Sequence, residues 1–467
     1  MIPLKKLLVI GGGITGLAAA YYAKEKIREK NLPYKVKLVE ASEKLGGKIE
    51  TTHRDGFTIE RGPDSFLARK QPAVDLIEQL GLQDELVRNA TGLSYILVKN
   101  KLHKIPPGSF MGVPVEARPF VFSRLFSLRG KLRATGDYII PKSKEHGDQS
   151  LGKFFRRRFG DELVEHLIEP LLSGIYSGDV DEMSLQATFP NFYALEQKHG
   201  SLIRGLQKAM PKRSKKKQQQ GAFYALKGGF QSLVDALEKE LQHHVTKGIA
   251  VDHIEKKDHY YHVLYSDGTV DKIDTMIVTT PHTSLEHMFS KYDGVKELKT
   301  IPTTSVANVA LAFDEQSLRK DIDGTGFVVS RKSDFRITAC TWTHRKWPHT
   351  TPKGQVLLRS YVGGADDREA AYLTDEELVD IVLRDLRKIM NITGSPNFSV
   401  ITRFQKAMPQ YVVGHLERVE KVESYLQENL PGVYLAGASY RGVGVPDCIA
   451  QGKKAVTEAI SFLQQTE

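Results

Sequence analysis

The sequence predicts an α/β fold in which one parallel-sheet domain is assembled from both ends of the chain. Three observations predict it. An apolar run, a glycine turn and a helical run open the sequence. A second strand–turn–helix unit closes it. Between them a proline-punctuated, helix-rich stretch gives way to a series of short strands.

Leu7-Leu8-Val9-Ile10 reads as a buried strand, Gly11-Gly12-Gly13-Ile14-Thr15-Gly16 as a tight turn, and Leu17 to Tyr22 as the start of a helix. A second strand, Val36 to Val39, ends on Glu40. G-x-G-x-x-G between strand and helix, with an acidic strand end roughly twenty residues on, is the pattern of a dinucleotide-binding βαβ unit. Gly11 allows the sharp turn, Gly13 lets a pyrophosphate approach the backbone, and Gly16 lets the helix pack closely. The free N–H groups of the helix start suit phosphates, and Glu40 suits ribose hydroxyls. The alternative is a glycine turn without a ligand.

Composition narrows the class. The chain has 467 residues, 40% of them hydrophobic, enough for two or three domains with sizeable cores. No stretch approaches the ~20 apolar residues of a spanning helix, and the glycine turn interrupts the apolar start, so neither a membrane span nor a signal peptide is expected. Cys340 and Cys448 do not make a disulfide framework, which fits a reducing cytoplasm. The 15 histidines show no metal-ligand spacing, so no metal site is expected. A net charge of +10, from 66 basic and 56 acidic residues, suits an anionic metabolite or an acidic membrane surface, or solubility alone. No nucleic-acid motif is present.

After Glu40, Gly46-Gly47-Lys48 gives a loop able to pass close to a cofactor, with Lys48 placed to meet a phosphate. Gly62-Pro63-Asp64-Ser65 forms another tight turn, and a helix is expected from Pro72 to Leu80. Residues 85–185 read as helical, with Leu151 to Leu172 one amphipathic helix. Its Phe and Leu side chains, together with Arg118, Arg124, Arg129, Lys131 and Arg133, could give a greasy, basic face for a membrane surface, or ordinary helix packing. Lys208 to Gln220 reads as a mobile loop. Strands follow over 249–254, 260–265, 276–279, 306–313, 327–330, 337–342 and 356–362, then a helix over 375–390.

The C-terminal unit is the strand Val433 to Ala436, the glycine-rich turn Gly437 to Asp447, and a helix from about Cys448 to Leu463. Pro446 sits where helix starts accept proline. This strand would rejoin the N-terminal sheet. NAD and FAD both fit the first fingerprint. Its N-terminal position, the Gly46-Gly47-Lys48 loop and a C-terminal helix start able to face a flavin ring favour FAD. Val362-Gly363-Gly364 lacks the spacing of a second fingerprint, which argues against a nicotinamide-dependent reductase.

Gly11 to Gly16, Glu40, Gly46-Gly47-Lys48, Leu226 to Gly229, Ile277 to Pro281 and Gly437 to Asp447 resemble the flavin amine-oxidase superfamily. More closely, Glu60 to Phe66, Glu169 to Gly178 and Arg441 to Cys448 resemble the oxygen-dependent porphyrinogen oxidases of haem synthesis, above all the soluble Gram-positive type that oxidises coproporphyrinogen III. The resemblance spans essentially the whole chain. It implies an α/β fold with a discontinuous Rossmann-like FAD domain (1–70, 222–290, 420–467), a mixed-sheet substrate domain (71–89, 186–221, 291–419) and a helical, membrane-facing domain (90–185). It also implies FAD contacts at Gly11, Gly12, Gly13, Ile14, Thr15, Gly16, Glu40, Ala41, Lys48, Gly62, Pro63, Asp64 and Ser65, a backbone pairing of Val251 with the adenine, and a flavin border at Val443, Gly444, Val445 and Pro446. At Phe404 relatives often carry tryptophan, so that contact keeps a ring and loses an indole N–H.

The implied reaction is a six-electron oxidation in three flavin turnovers. Each passes a hydride to flavin N5, a pyrrole N–H proton to solvent and electrons to oxygen as hydrogen peroxide. No catalytic acid or base is expected, since positioning carries most of the work. Lys70 is the candidate for a propionate, with a plain surface lysine as the alternative. Ile175 is the candidate apolar wall, with a packed core residue as the alternative. The implied partners are a porphyrinogen, molecular oxygen and a ferrochelatase that receives the product. The implied location is the cytoplasm, with peripheral contact at the inner face of the cell membrane. Two rival readings are an amine oxidase, for which Tyr440 would supply part of an aromatic cage, and a flavin-binding regulator without activity.

Overall fold

The computed structural model describes residues 4–144, 147–210, 221–319 and 321–466. A five-stranded parallel sheet forms the nucleotide-binding part, in the order Val245–Thr246, Tyr34–Val39, Lys5–Ile10, Thr275–Val278, Val433–Leu435. All five strands fall within 1–70, 222–290 and 420–467. The first strand is a continuous apolar run because both of its faces are buried. Leu7 and Val9 pack against the helix Ile14–Glu29 and the C-terminal helix Val445–Gln465. Leu8 and Ile10 pack against a three-stranded antiparallel layer that includes Val251–Lys256 and Tyr261–Tyr265.

The two helices cross at small residues. A Cβ added at Gly452 would stand 2.5 Å from the Thr15 carbonyl oxygen, so the first turn of one helix rests directly on the other. This contact closes the domain across nearly the full length of the chain.

A seven-stranded mixed sheet forms the second layer, in the order Phe398–Pro409, Thr303–Asp314, Gln355–Gly363, Ile337–Trp342, Gly326–Val329, Tyr95–Val98, Lys101–Lys104. Its last two strands lie inside the stretch read as helical. Tyr95-Ile96-Leu97-Val98 is wholly buried, and the hairpin turns at Lys99 and Asn100, both at positive φ. The apolar run pairs in parallel with Gly326–Val329, a partner more than two hundred residues away that local periodicity could not reveal.

The remaining helices of 105–206 share a core with Phe154, Phe155, Leu163 and Phe192. The single helix expected over Leu151 to Leu172 is broken. Gly160 takes φ +82 after Leu151–Phe159, and a short helix and a π turn, Val164–Ile168, precede Glu169–Tyr176. Part of the mobile loop expected over Lys208 to Gln220, residues 211–220, lies outside the described residues. Among the described residues no helix is long and apolar enough to cross a membrane.

Candidate functional site

The glycine turn places a helix start beside open space. Gly13 is the N-cap of Ile14–Glu29, with extended φ and ψ and no side-chain cap. The N–H groups of the first helical turn have no partner within the helix. A Cβ at Gly13 would meet no atom within 4 Å, whereas one at Gly12 would meet Leu45 at 2.5 Å. Gly13 therefore borders a free cradle, and Gly12 is packed. The residues fit a dinucleotide pyrophosphate.

Glu40 anchors this cradle. Its Oε2 accepts the Gly12 N–H at 2.6 Å, and its Oε1 accepts from Ser42 N and Oγ at 2.9 and 2.8 Å. A carboxylate offers about four acceptor positions, so Glu40 can fix the loop and still meet a ribose hydroxyl. Ala41 follows it at the exposed strand end. Ile249 N–H bonds the Glu40 carbonyl at 3.0 Å, which brings the strand starting at Val251 alongside. Gly46 N–H bonds the Gly12 carbonyl at 2.9 Å, so the second glycine loop closes over the first.

The far end of the chain meets this cradle. A Cβ added at Gly437 would stand 3.5 Å from the Thr15 hydroxyl oxygen, and the Cys448 thiol is buried in the first turn of the C-terminal helix. Burial pushes that thiol up to about 11. The helix is N-capped by Gly444 without a side-chain cap, and Val445 and Pro446 fill its first turn. Val443, in the turn before it, packs on the helical core instead of the sheet domain. Tyr411 braces the turn from below: its hydroxyl donates to Ala438 O and accepts from Gly442 N–H, both at 2.7 Å.

Lys48 reaches across to the second sheet. Its Nζ donates to the Ala407 carbonyl, on the strand that also carries the half-buried Phe404. Burial lowers the Lys48 pKa, and its charge acts on Cys448 and His282. It therefore stands near the C-terminal helix start.

The Gly62–Ser65 turn divides into two parts. Gly62 is required by space, since a Cβ there would stand 1.9 Å from the Lys48 carbonyl oxygen. Pro63 follows it, partly buried. The Asp64 and Ser65 side chains join a cluster of charged groups. Asp64 binds Lys346 Nζ at 2.9 Å and lies 3.4 Å from Arg359, and Ser65 Oγ donates to Asp64 at 2.7 Å. Burial would raise the Asp64 carboxyl, but the Lys346 and Arg359 cations outweigh it and hold it well below the usual range. Glu60, beside the same cluster, is pushed up to about 7 by burial. The side chains of Asp64 and Ser65 are thus held within this cluster.

Lys70 and Ile175 are both part-exposed. Lys70 Nζ pairs with Asp447 Oδ1 at 2.6 Å. Ile175 is 44% exposed, so it is not a packed core residue. Sequence reasoning missed Tyr411, Arg359, Lys346 and the role of Asp447. A charged Arg359 inside the apolar strand Gln355–Gly363 was a visible signal, because charge in a doubly covered strand needs a buried partner. Among the described residues no group of three or more His, Cys, Asp or Glu could hold a metal.

The family model for flavin containing amine oxidoreductases matches residues 14–460. A coproporphyrinogen III oxidase of Bacillus subtilis (strain 168) is 52% identical, over 98% of both chains. A coproporphyrinogen III oxidase of Staphylococcus aureus (strain NCTC 8325 / PS 47) is 44% identical, over 98% of this chain and all of the other. A crystal structure from Exiguobacterium sp. 255-15 superposes with a TM-score of 0.87 at 40% identity, covering 99% of both chains.

Proposed function

The chain belongs to the family of flavin containing amine oxidoreductases, and within it we propose that the protein is an FAD-dependent oxidase converting coproporphyrinogen III to coproporphyrin III. One geometric observation carries the cofactor part of this reading. Two long helices whose N-caps make no side-chain hydrogen bond, Ile14–Glu29 and Val445–Gln465, pack together where Gly452 meets Thr15, beside the open cradle of Gly13. The two relatives at 52% and 44% identity support the substrate.

Bound FAD would supply a hydride acceptor and return electrons to molecular oxygen as hydrogen peroxide, three times over for a six-electron oxidation. The chain's residues would hold and orient. First-turn N–H groups from Gly13 to Gly16 would take the pyrophosphate, with Glu40 at the ribose and Val251 at the adenine. The helix start at Gly444 to Pro446 would place positive dipole against the pyrimidine side of the ring. Ile175 would offer an apolar wall to the macrocycle, and Lys70 a cation to a propionate. No side chain is assigned as acid or base, because fixed orientation of the reacting C–H supplies most of the advantage.

The exposed side chains Phe122 (77%), Leu128 (79%), Leu132 (74%) and Ile139 (85%) stand among Arg118, Arg124, Arg129 and Lys131. They support peripheral docking of this helical face on an anionic membrane surface from the cytoplasm, checked by co-sedimentation with anionic and neutral vesicles.

The function is tested by anaerobic reduction of the purified yellow protein with coproporphyrinogen III, protoporphyrinogen IX and a panel of amines. Bleaching fastest with coproporphyrinogen III, reversed by air, is the expected result. Bleaching by amines alone would overturn it in favour of an amine oxidase, and no bleaching would favour a binding protein.

A further inference from the structure

The Lys70–Asp447 pair has features that set it apart from the buried pairs of the protein. Both side chains are part-exposed, at 41% and 37%, so a solute can reach them. Lys70 caps the helix Gln71–Gln79, and Asp447 lies in the first turn of the C-terminal helix. The glycine turn is shaped around this carboxylate: a Cβ at Gly442 would stand 3.0 Å from Asp447 Cβ, and one at Gly444 2.9 Å from its Oδ2. The Asp447 charge also acts on the hydroxyl of Tyr176, the neighbour of Ile175. Cation and carboxylate therefore meet at one solvent-reachable point of the glycine turn.

We propose that Lys70 and Asp447 form an exchangeable carboxylate contact: Asp447 neutralises the Lys70 ammonium until a propionate of the substrate takes its place. The proposal rests on the function given above. Exchanging one carboxylate for another conserves charge at Lys70. Asp447 is not stranded when displaced, because the N–H groups and dipole of its own helix start favour a negative charge there. An ion pair of this exposure commands little binding strength, so the exchange is easy. Asp447 is thus a positioning and specificity residue, and this point accepts carboxylates at a modest and adjustable cost.

The test is titration of the FAD-loaded protein with coproporphyrin III, followed by porphyrin fluorescence at several salt concentrations. Asp447→Asn frees Lys70 and should tighten binding about 2- to 5-fold, the range of a part-exposed ion pair. Lys70→Gln should weaken binding and flatten its salt dependence. Flavin absorbance and melting temperature report whether each variant is intact. Should Asp447→Asn fail to fold, Lys70→Gln decides alone. Unchanged or weaker binding in a folded Asp447→Asn protein overturns the exchange, as does wild-type affinity and salt dependence in Lys70→Gln. Wild-type protein that binds no porphyrin would overturn the proposed function and the exchange together, which tells the two failures apart.

Discussion

A Cβ on Gly16 would stand 1.9 Å from the carbonyl oxygen of Gly11, closer than any real contact. Three residues earlier, a Cβ on Gly13 would meet nothing within 4 Å. The two glycines of one fingerprint therefore serve different ends. Gly16 closes the turn onto the helix, and Gly13 keeps a ligand space open. Gly16→Ala should destabilise the protein by about 1–3 kcal/mol through overpacking. Gly13→Val should leave the flavin-free protein as stable as the parent and abolish flavin retention. Urea melts and the flavin-to-protein absorbance ratio check both, and normal flavin content in Gly13→Val would contradict the placement.

Lys346 and Arg359 hold Asp64 ionised inside the protein. Lys346→Met removes the nearer cation and should cost about 3–5 kcal/mol, because it leaves a buried carboxylate short of charge. The folded-state pKa of Asp64 lies below its unfolded value. The unfolded chain therefore binds its proton first as pH falls, and stability from this group is present above about pH 4 and lost below it. Denaturant melts between pH 3 and 6 should show that acid-side loss in the wild type and a shallower one in Lys346→Met.

Glu60 has the opposite sign. Burial raises its folded-state pKa to about 7 from the 4.5 of a free glutamate side chain. The folded protein binds this proton more tightly, so its contribution is full below pH 4.5 and is lost as pH rises through 7. Glu60→Gln keeps the acceptor for the Phe230 N–H and removes the titration. The variant should lose less stability than the wild type between pH 5 and 8, by at most about 3 kcal/mol. Parallel pH profiles for the two proteins would count against this assignment.

Tyr411 holds both sides of the C-terminal glycine turn with one hydroxyl. Tyr411→Phe leaves the Gly442 N–H and one lone pair of the Ala438 carbonyl without that partner, at a cost of about 1–3 kcal/mol. Because the turn leads into the helix start at Gly444, flavin should dissociate at a lower temperature than the parent's. Flavin fluorescence during heating checks this against a circular-dichroism melt. Equal flavin release in the two proteins would show that the turn does not need the brace.

Lys70→Ala should raise the KM for coproporphyrinogen III several-fold while flavin stays bound. Unchanged steady-state kinetics would remove Lys70 from the substrate site.

Where the chemistry is local, it could be read directly. The strand–glycine–helix unit at Leu7 to Tyr22 and its acidic partner Glu40 are contiguous, and Gly12 N–H does bond Glu40. The helix Asp375–Met390 and the strand Ile337–Trp342 match their periodicity to the residue. Other features depend on distant partners. Tyr95–Val98 is a strand only because Gly326–Val329 lies beside it. The partners of the Asp64 side chain were hidden, because nothing near it in sequence shows the cations of Lys346 and Arg359. Lys48 reaches a carbonyl 359 positions away.

The sequence by itself determined the glycine crook, its acidic strand end and the second helix start, since each is set by backbone geometry within a few residues. The tertiary structure alone decided which charges are neutralised, because an ion pair is chosen by proximity in space. That is why Lys70 faces Asp447, and Asp64 faces Lys346, across chain separations that no local pattern spans.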